Sequence, residues 1–320
     1  MSPAPMSRRA LLAMLALSAL PAWADDASPY RQLDFDWRDS ARERAVPVRL
    51  YLPAAASPAQ PVPLVVFSHG IGGSRAGYRY LGSHWASQGW ASLHLQHVGS
   101  DRQLWFGNVF GVIGRLRDAA QDAEAIARVH DLRFALDQLL GHDLASMVDA
   151  RRIVAAGHSY GANTALLASG AQVPRGGRVV DLHDERIRAA IVISAPPFYG
   201  ESALGPILGP VQVPSLHVTA TEDVIRIPGY YSGAEDRVAV FDAVGSPRKA
   251  LAVFEGGSHS MFTDRAGTGG AILNPQVKAA TRELSLAFLQ TVFDGDNAAL
   301  RAWPERHREI LARFAVTGLA

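Results

Sequence analysis

The chain of 320 residues contains no cysteine, and this absence removes several classes of chemistry at once. Without a thiol there is no disulfide bond, no thiolate ligand for a metal and no cysteine nucleophile. A charge excess of one sign is also lacking, because 31 basic residues offset 30 acidic residues and leave a formal net charge of +1. A chain balanced in this way offers no broad basic surface, so we expect no nucleic-acid partner.

The apolar run near the N-terminus is too short for a comfortable membrane span. It occupies residues 10–20, follows the basic pair Arg8-Arg9 and precedes a small-residue end at residues 22–24. This layout predicts a signal peptide over residues 1–24 that is cleaved after Ala24, and the arginine pair also resembles the twin-arginine export motif. We expect a mature protein without a stable membrane span, in a bacterial periplasm or secreted. An uncleaved N-terminal anchor is the alternative.

The rest of the chain, residues 25–320, alternates predicted strands with predicted helices and shows no internal repeat or linker. Such alternation predicts a single α/β domain with a mostly parallel central sheet and helices on both faces. The predicted strands are residues 46–52, 64–67, 90–95, 153–156, 187–193, 215–219 and 249–254. The predicted helices are residues 78–88, 116–140, 276–293 and 298–314.

Residues 99–115 mix glycines with Trp105, Phe106 and Phe110 and have no clear period. A segment of this kind suits a lid or a pocket loop, and a small satellite core under a long loop is the alternative. The aromatic, proline-rich residues 196–199 follow a predicted strand directly, so they are candidates for the wall of the same pocket.

The most informative pattern is Gly-His-Ser-Tyr-Gly at residues 157–161. It follows a predicted strand and precedes a run of good helix formers, which is the context of a nucleophile elbow. The flanking glycines suit a turn too tight for a Cβ atom, and the helix N-terminus favours developing negative charge. We therefore assign Ser159 as a nucleophile. An ordinary strand-to-helix turn that contains a serine is the alternative.

A serine hydroxyl needs a base, and the base needs a group that fixes its tautomer. In hydrolases of this type the order along the chain is serine, acid, histidine, and each group follows a strand. Asp223 follows the strand at residues 215–219, and His259 lies in a glycine-rich loop after the strand at residues 249–254. These are the predicted acid and base. Alternatives for the acid stay open at three carboxylates: Glu222, Asp181 and Asp184.

The oxyanion of acyl transfer needs two backbone N–H donors. One is predicted at Tyr160, directly after the nucleophile. The other is predicted at Ile71, in the glycine-rich segment of residues 68–75 that follows the first central strand, because glycines let the backbone approach a substrate carbonyl closely. We call residues 68–75 the oxyanion loop.

Four segments resemble the α/β-hydrolase superfamily, and within it the platelet-activating-factor acetylhydrolase and dienelactone-hydrolase-like group. They are residues 67–75, 94–97, 157–161 and 257–259, and the resemblance covers roughly residues 45–295. It implies Ser159 as nucleophile, His259 as base, and Ile71 and Tyr160 as oxyanion donors.

Two departures from this group are visible. The acetylhydrolase branch is expected to place its acid directly after the strand that follows the nucleophile helix, where this chain reads Ser-Ala-Pro-Pro at residues 194–197. The acid has therefore moved one strand later, to Asp223. Dienelactone hydrolases use a cysteine nucleophile, which this chain lacks.

The sequence thus predicts a serine hydrolase that cleaves carboxylic esters with short to medium acyl groups through an acyl-enzyme. The expected partner is a small-molecule ester, and the reaction needs no metal or organic cofactor. His94 and His97 are not expected to share a metal, because they point to opposite faces of a strand, and one of them is expected to line the pocket instead. Open alternatives are a lipase, a polyester hydrolase or an amidase that uses the same triad, and a non-catalytic binding member of the fold.

Overall fold

A computed structural model describes residues 28–108, 111–227, 230–265 and 270–319 of the protein. The predicted signal peptide and Phe110 lie outside these described residues. No helix within them is both long enough and apolar enough to cross a membrane.

The described residues form strands and helices in alternation. The strands are β1 (Tyr30–Asp39), β2 (Arg44–Pro53), β3 (Val62–Ser68), β4 (Ala91–Leu95), β5 (Val148–His158), β6 (Gln172–Arg175), β7 (Arg178–Asp181), β8 (Ile187–Ile193), β9 (Ser215–Glu222), β10 (Ile225–Ile227), β11 (Tyr230–Ser232), β12 (Lys249–Ser258) and β13 (Leu311–Thr317). The helices are α1 (Arg79–Ser87), α2 (Val112–Ala119), α3 (Asp122–Leu140), α4 (Tyr160–Ala168), α5 (Leu204–Leu208), α6 (Ala234–Ala243), α7 (Leu273–Phe293) and α8 (Ala298–Arg306).

Nine of these strands form one sheet in the order β1-β2-β4-β3-β5-β8-β9-β12-β13. The six strands from β4 to β12 in this order pair in parallel. Within this sheet, antiparallel pairing is confined to the two edges, where β1 and β2 form a hairpin that joins β4, and β13 joins β12. The predicted mostly parallel sheet is confirmed.

Side chains of the central strands feed two separate apolar cores, as a parallel sheet buried on both faces requires. Leu64 and Val66 of β3 pack in one core with α3 and α4. Val65 and Phe67 point to the opposite face and pack in the other core with α1 and α7. The helices therefore cover both faces of the sheet, as the alternation of elements predicted.

The prediction of one continuous helix over residues 116–140 is wrong. The chain forms α2 and α3 instead, and Gln121 between them has an extended backbone with φ −70° and ψ 155°. The acidic residues Asp122 and Glu124 lie in the first turn of α3, where they complement the positive end of the helix dipole. The start of a second helix at Asp122 is therefore favourable.

The prediction of a helix over residues 298–314 is also wrong in its second half. Helix α8 ends at Arg306, and β13 pairs antiparallel with β12 at the sheet edge. Phe314 packs there against the core that contains α7 and α8. Pairing with a strand about sixty positions earlier is a nonlocal contact, which outweighs the helix-like local pattern of charges.

Candidate active site

Ser159 sits in a sharp turn between β5 and α4. Its backbone has φ 55° and ψ −122°, a region that costs free energy for a residue with a side chain. The Ser159 N–H donates to the Ile193 carbonyl oxygen at 2.8 Å and so anchors the turn to β8. A Cβ atom on Gly157 would lie 2.1 Å from the Gly161 oxygen, and one on Gly161 would lie 1.9 Å from the Ser68 oxygen. Both glycines are thus required by close backbone contact, as the elbow motif predicted.

The structure brings Ser159, His259 and Asp223 together at the carboxyl ends of β5, β12 and β9. His259 Nδ1 lies 2.7 Å from Asp223 Oδ1, and His259 Nε2 lies 2.8 Å from Ser159 Oγ. A carboxylate can only accept, so Nδ1 carries the proton and donates to Asp223. This leaves Nε2 free to accept the proton of the Ser159 hydroxyl, which is the arrangement needed for a nucleophile and its base.

Asp223 is completely buried and accepts hydrogen bonds on both oxygens. The hydroxyls of Ser194 and Thr219 donate to Oδ2, the latter at 2.7 Å. The Arg237 guanidinium lies 3.6 Å from Oδ1. Burial acts to raise the pKa of Asp223, but the hydrogen bond and charge of His259, the charge of Arg237 and the Ser194 hydroxyl together hold this pKa below its ordinary value. The carboxylate is therefore ionised where it faces the imidazole.

The other carboxylates considered as the acid lie elsewhere. Glu222 is exposed at the end of β9. Asp181 accepts a hydrogen bond from Gln172 within the small hairpin of β6 and β7. Asp184 forms an ion pair with Arg186. None of these three has a hydrogen bond to His259 among the described residues.

Ile71 lies in the oxyanion loop between two backbone N–H groups that are already in use. The Gly70 N–H donates to Tyr78 Oη at 3.3 Å, and the Gly72 N–H donates to the Ser100 carbonyl oxygen at 2.8 Å. The Ile71 N–H between them has no acceptor among the described residues. A free donor in a loop held on both sides is suited to bind an external oxyanion.

Tyr160 is the first residue of α4, so its N–H has no carbonyl one turn earlier within the helix to bond. Tyr160, Ile71, Ser159 and His259 all line the same cavity, which has a volume of about 920 Å³. Both predicted oxyanion donors and the predicted nucleophile and base thus border a single space.

Much of the cavity wall is apolar. The predicted wall segment, residues 196–199, lines the cavity, and so does Trp105 from the segment predicted as a lid or pocket loop. The Trp105 indole N–H donates to the Gly72 carbonyl oxygen at 2.9 Å, which ties this side chain to the oxyanion loop. Phe106 is 69% exposed and does not line the cavity. Apolar residues from α2 and α4, namely Ile113, Leu116 and Leu167, line the cavity as well.

His158 connects the two loops of the site, a role that could not be assigned from the sequence. Its Nδ1 lies 2.8 Å from Tyr78 Oη, which in turn accepts from the Gly70 N–H. Its Nε2 lies 3.0 Å from the carbonyl oxygen of His259. Burial lowers the pKa of His158 to about 3, so the imidazole is neutral and can donate through one nitrogen while it accepts through the other.

His94 and His97 do not line the cavity, contrary to the expectation that one of them would. Burial lowers the pKa of each to about 3. His94 Nε2 lies 3.0 Å from Ser92 Oγ. His97 Nδ1 lies 3.1 Å from Asp131 Oδ2, and its Nε2 lies 3.0 Å from Ser68 Oγ. Each histidine thus belongs to a separate buried hydrogen-bond network.

A second buried cation, Arg128, lies behind the oxyanion loop and was not recognised in the sequence. It is completely buried on α3. The signal that could have revealed it is its spacing, because Arg128 lies four and eight positions before Leu132 and Leu136 on the apolar face of the helix. A charged residue on that face must find polar partners inside the protein.

Residues 43–103 match the sequence model of the family described as platelet-activating factor acetylhydrolase, isoform II. This segment runs from β2 through the oxyanion loop to the residues after β4. No curated protein shows significant similarity to the chain. The family match supports an ester hydrolase at the level of the family. The chain therefore has an α/β-hydrolase fold and, over residues 43–103, is similar to the platelet-activating factor acetylhydrolases.

Proposed function

We propose that this protein is a serine hydrolase that cleaves carboxylic esters through an acyl-enzyme. The observation that carries the proposal is the unbroken hydrogen-bond chain from Ser159 Oγ through His259 to the buried Asp223, at 2.8 Å and 2.7 Å. This geometry satisfies the requirements for a nucleophile, a base and a group that orients the base. The family match at residues 43–103 supports the same class of reaction.

In the proposed mechanism, Ser159 Oγ attacks the ester carbonyl carbon and passes its proton to His259 Nε2. The carbonyl oxygen becomes an oxyanion that accepts hydrogen bonds from the N–H groups of Ile71 and Tyr160. Asp223 stabilises the imidazolium. The intermediate collapses, the bond to the alcohol oxygen breaks, and His259 donates its proton to that oxygen.

The acyl group is then released by water. His259 Nε2 removes a proton from a water molecule, whose oxygen attacks the acyl carbon, and a second oxyanion forms in the same hole. Collapse of this intermediate breaks the bond to Ser159 Oγ, and His259 returns the proton to the serine. The sequence leads us to propose a substrate with a short to medium acyl group.

A larger ester is the second candidate substrate. The cavity of about 920 Å³ lies at the upper end of the range for small-molecule sites and has apolar and aromatic walls. This volume leaves room for a lipid or an oligomer of a polyester. Amide cleavage by the same triad and a binding role without catalysis have no such observation in their favour.

The N-terminal sequence supports export as part of the proposal. Residues 1–24 have the order of a signal peptide, with basic, apolar and small-residue segments. We propose that the mature protein begins after Ala24 and acts in the periplasm or outside the cell. Edman sequencing or mass spectrometry of the protein recovered from the periplasm and the medium tests the cleavage site. An intact N-terminus in the cytoplasmic fraction would contradict export.

Hydrolysis of p-nitrophenyl esters from acetate to palmitate tests the reaction. We expect the wild type to hydrolyse part of this series and Ser159→Ala to lose activity by several orders of magnitude. Ser169→Ala is a matched control, because Ser169 is a buried serine at the other end of α4 and does not line the cavity. It should retain kcat within about twofold. Equal activity of wild type and Ser159→Ala on every ester would refute the proposal.

A further inference from the structure

The guanidinium of Arg128 is buried without a carboxylate partner of its own. No carboxylate among the described residues forms an ion pair with it. Its three nitrogens instead donate to neutral oxygens. Nε donates to Thr164 Oγ1 at 3.0 Å, one terminal nitrogen donates to Ser100 Oγ at 2.8 Å, and the other donates to the carbonyl oxygen of His69.

This arrangement does not favour the stability of the folded protein. A buried charge without an opposite partner loses its hydration, and burial lowers the pKa of Arg128 to about 10. Two carboxylates on the same helix, Glu124 and Asp131, lie close by, but both bind the side chain of Arg44 at 3.0 Å and 2.9 Å. A well-packed apolar residue at position 128 would avoid this cost, so the position of the guanidinium needs another explanation.

Two of the three hydrogen bonds hold the oxyanion loop. The His69 carbonyl that accepts from Arg128 lies two residues before Ile71. Ser100 accepts from Arg128 through its hydroxyl, and its carbonyl oxygen accepts the N–H of Gly72, the residue after Ile71. Arg128 therefore supports the backbone on both sides of the proposed donor at Ile71.

The remaining contacts of Arg128 hold the segment that carries Tyr160, the second proposed donor of the oxyanion hole. Thr164 Oγ1 accepts from Arg128 Nε and donates to the carbonyl oxygen of Tyr160 at 3.1 Å. The Arg128 guanidinium carbon also lies 4.5 Å from the centre of the Tyr160 ring, within the range of a cation–π interaction. Tyr160 carries the second proposed donor, so both donors depend on one guanidinium.

We propose that Arg128 is a positioning residue for the oxyanion hole, which fixes the segments of Ile71 and Tyr160 relative to each other. The inference rests on the proposed serine hydrolase function. Only arginine has both a planar fork for three separate acceptors and a flat face for an aromatic ring, so lysine cannot replace it.

Steady-state kinetics of Arg128→Met test this role, with Arg44→Met as the matched control. Arg44 belongs to the same polar network but contacts neither the oxyanion loop nor α4 in the described structure. We expect Arg128→Met to lower kcat by about 10²-fold with KM within about threefold of the wild type, because the misplaced donors act only on the transition state. Arg44→Met should lower the melting temperature and leave kcat within about threefold.

A pair of inhibitors separates positioning from general structural damage. Ser159 Oγ adds to the carbonyl carbon of a trifluoromethyl ketone whose chain length matches that of the best ester substrate, the serine proton moves to His259, and the resulting oxyanion occupies the hole. The corresponding methyl ketone does not form this adduct to a comparable extent. Arg128→Met should weaken binding of the fluorinated ketone by the same factor as kcat/KM and leave the methyl ketone within about threefold.

Thr164→Val provides an independent variant if Arg128→Met does not fold. It removes the hydroxyl that joins Arg128 to Tyr160 and preserves the shape of the side chain, so we expect kcat to fall about fivefold with an unchanged melting temperature. The inference is overturned if these variants lower kcat no more than Arg44→Met does, or weaken both ketones equally. Wild-type protein that neither hydrolyses an ester nor binds the fluorinated ketone would instead refute the proposed function itself.

Discussion

Replacement of Gly161 by alanine tests whether the contact between the nucleophile elbow and the oxyanion loop shapes the site. A Cβ atom at this position would lie 1.9 Å from the carbonyl oxygen of Ser68, whereas real Cβ atoms are essentially never closer than 3.0 Å to a neighbouring atom. The backbones of α4 and the oxyanion loop must therefore separate by about 1 Å. Neither backbone can move easily, because the atoms that the new Cβ would meet, the carbonyl oxygens of Ser68 and His69, belong to the main chain.

The displacement has two expected consequences. Overpacking of this kind lowers the free energy of unfolding by about 1–3 kcal/mol. The same shift moves the N–H of Tyr160 away from the N–H of Ile71, and a misplacement of about 1 Å can reduce the rate by about 10²-fold. We therefore expect Gly161→Ala to lose both stability and kcat.

Gly114→Ala is the matched control, because Gly114 lies inside α2 and a Cβ atom there meets no described atom within 4 Å. It should raise the free energy of unfolding by about 0.5–1 kcal/mol through its higher helix propensity. Urea titration and p-nitrophenyl ester kinetics measure both variants. A Gly161→Ala protein with wild-type stability and kcat would refute the argument that this close contact is required.

Three further predictions concern charge. Asp223→Asn removes the charge that stabilises the imidazolium, so we expect kcat to fall by about 10⁴-fold with KM nearly unchanged, and a fall of less than tenfold in steady-state kinetics would contradict this. Arg237→Met removes a positive charge 3.6 Å from the same carboxylate, and because this charge helps to hold the pKa of Asp223 below its ordinary value, that pKa should rise in the variant. The acid limb of the kcat–pH profile should move to higher pH, and a shift to lower pH would contradict the argument. Burial lowers the pKa of four histidines to about 3, so the unfolded chain binds protons that the folded protein does not. Their contribution to stability is complete above the ordinary histidine pKa of about 6.5 and is lost as the pH falls from there toward 3, by up to about 1.4 kcal/mol per pH unit for each histidine. Urea titrations should therefore give a lower free energy of unfolding at pH 5 than at pH 7, and equal free energies at the two pH values would show the reasoning to be wrong. These histidines are His94, His97, His158 and His217.

The central strands and the elbow could be predicted from the sequence because their signals are local. The strand at residues 64–67 is a continuous apolar run, which a parallel strand buried on both faces requires. The Gly-x-Ser-x-Gly pattern marks a turn whose backbone contacts allow no Cβ atom at either glycine. Asp223 and His259 could be predicted to lie near Ser159 because parallel strands bring their carboxyl ends to one edge of the sheet.

Features that depend on distant contacts could not be predicted in the same way. β13 exists because it pairs with β12, whereas residues 298–314, which include the first half of β13, carry charges in a pattern that also suits a helix. The link from His158 to Tyr78 and His259 joins three separate parts of the chain. Arg128 was missed because a single arginine in an amphipathic helix is usually exposed, although its position on the apolar face was a usable signal.

Covalent labelling with a fluorophosphonate tests most directly the central claim that Ser159 is an activated nucleophile. The reagent transfers its phosphonyl group to an activated serine oxygen with loss of fluoride, and peptide mass spectrometry locates the modified residue. The account predicts one label, on Ser159, that is absent from Ser159→Ala and strongly reduced in His259→Ala. A label on another serine, or undiminished ester hydrolysis by Ser159→Ala, would contradict it.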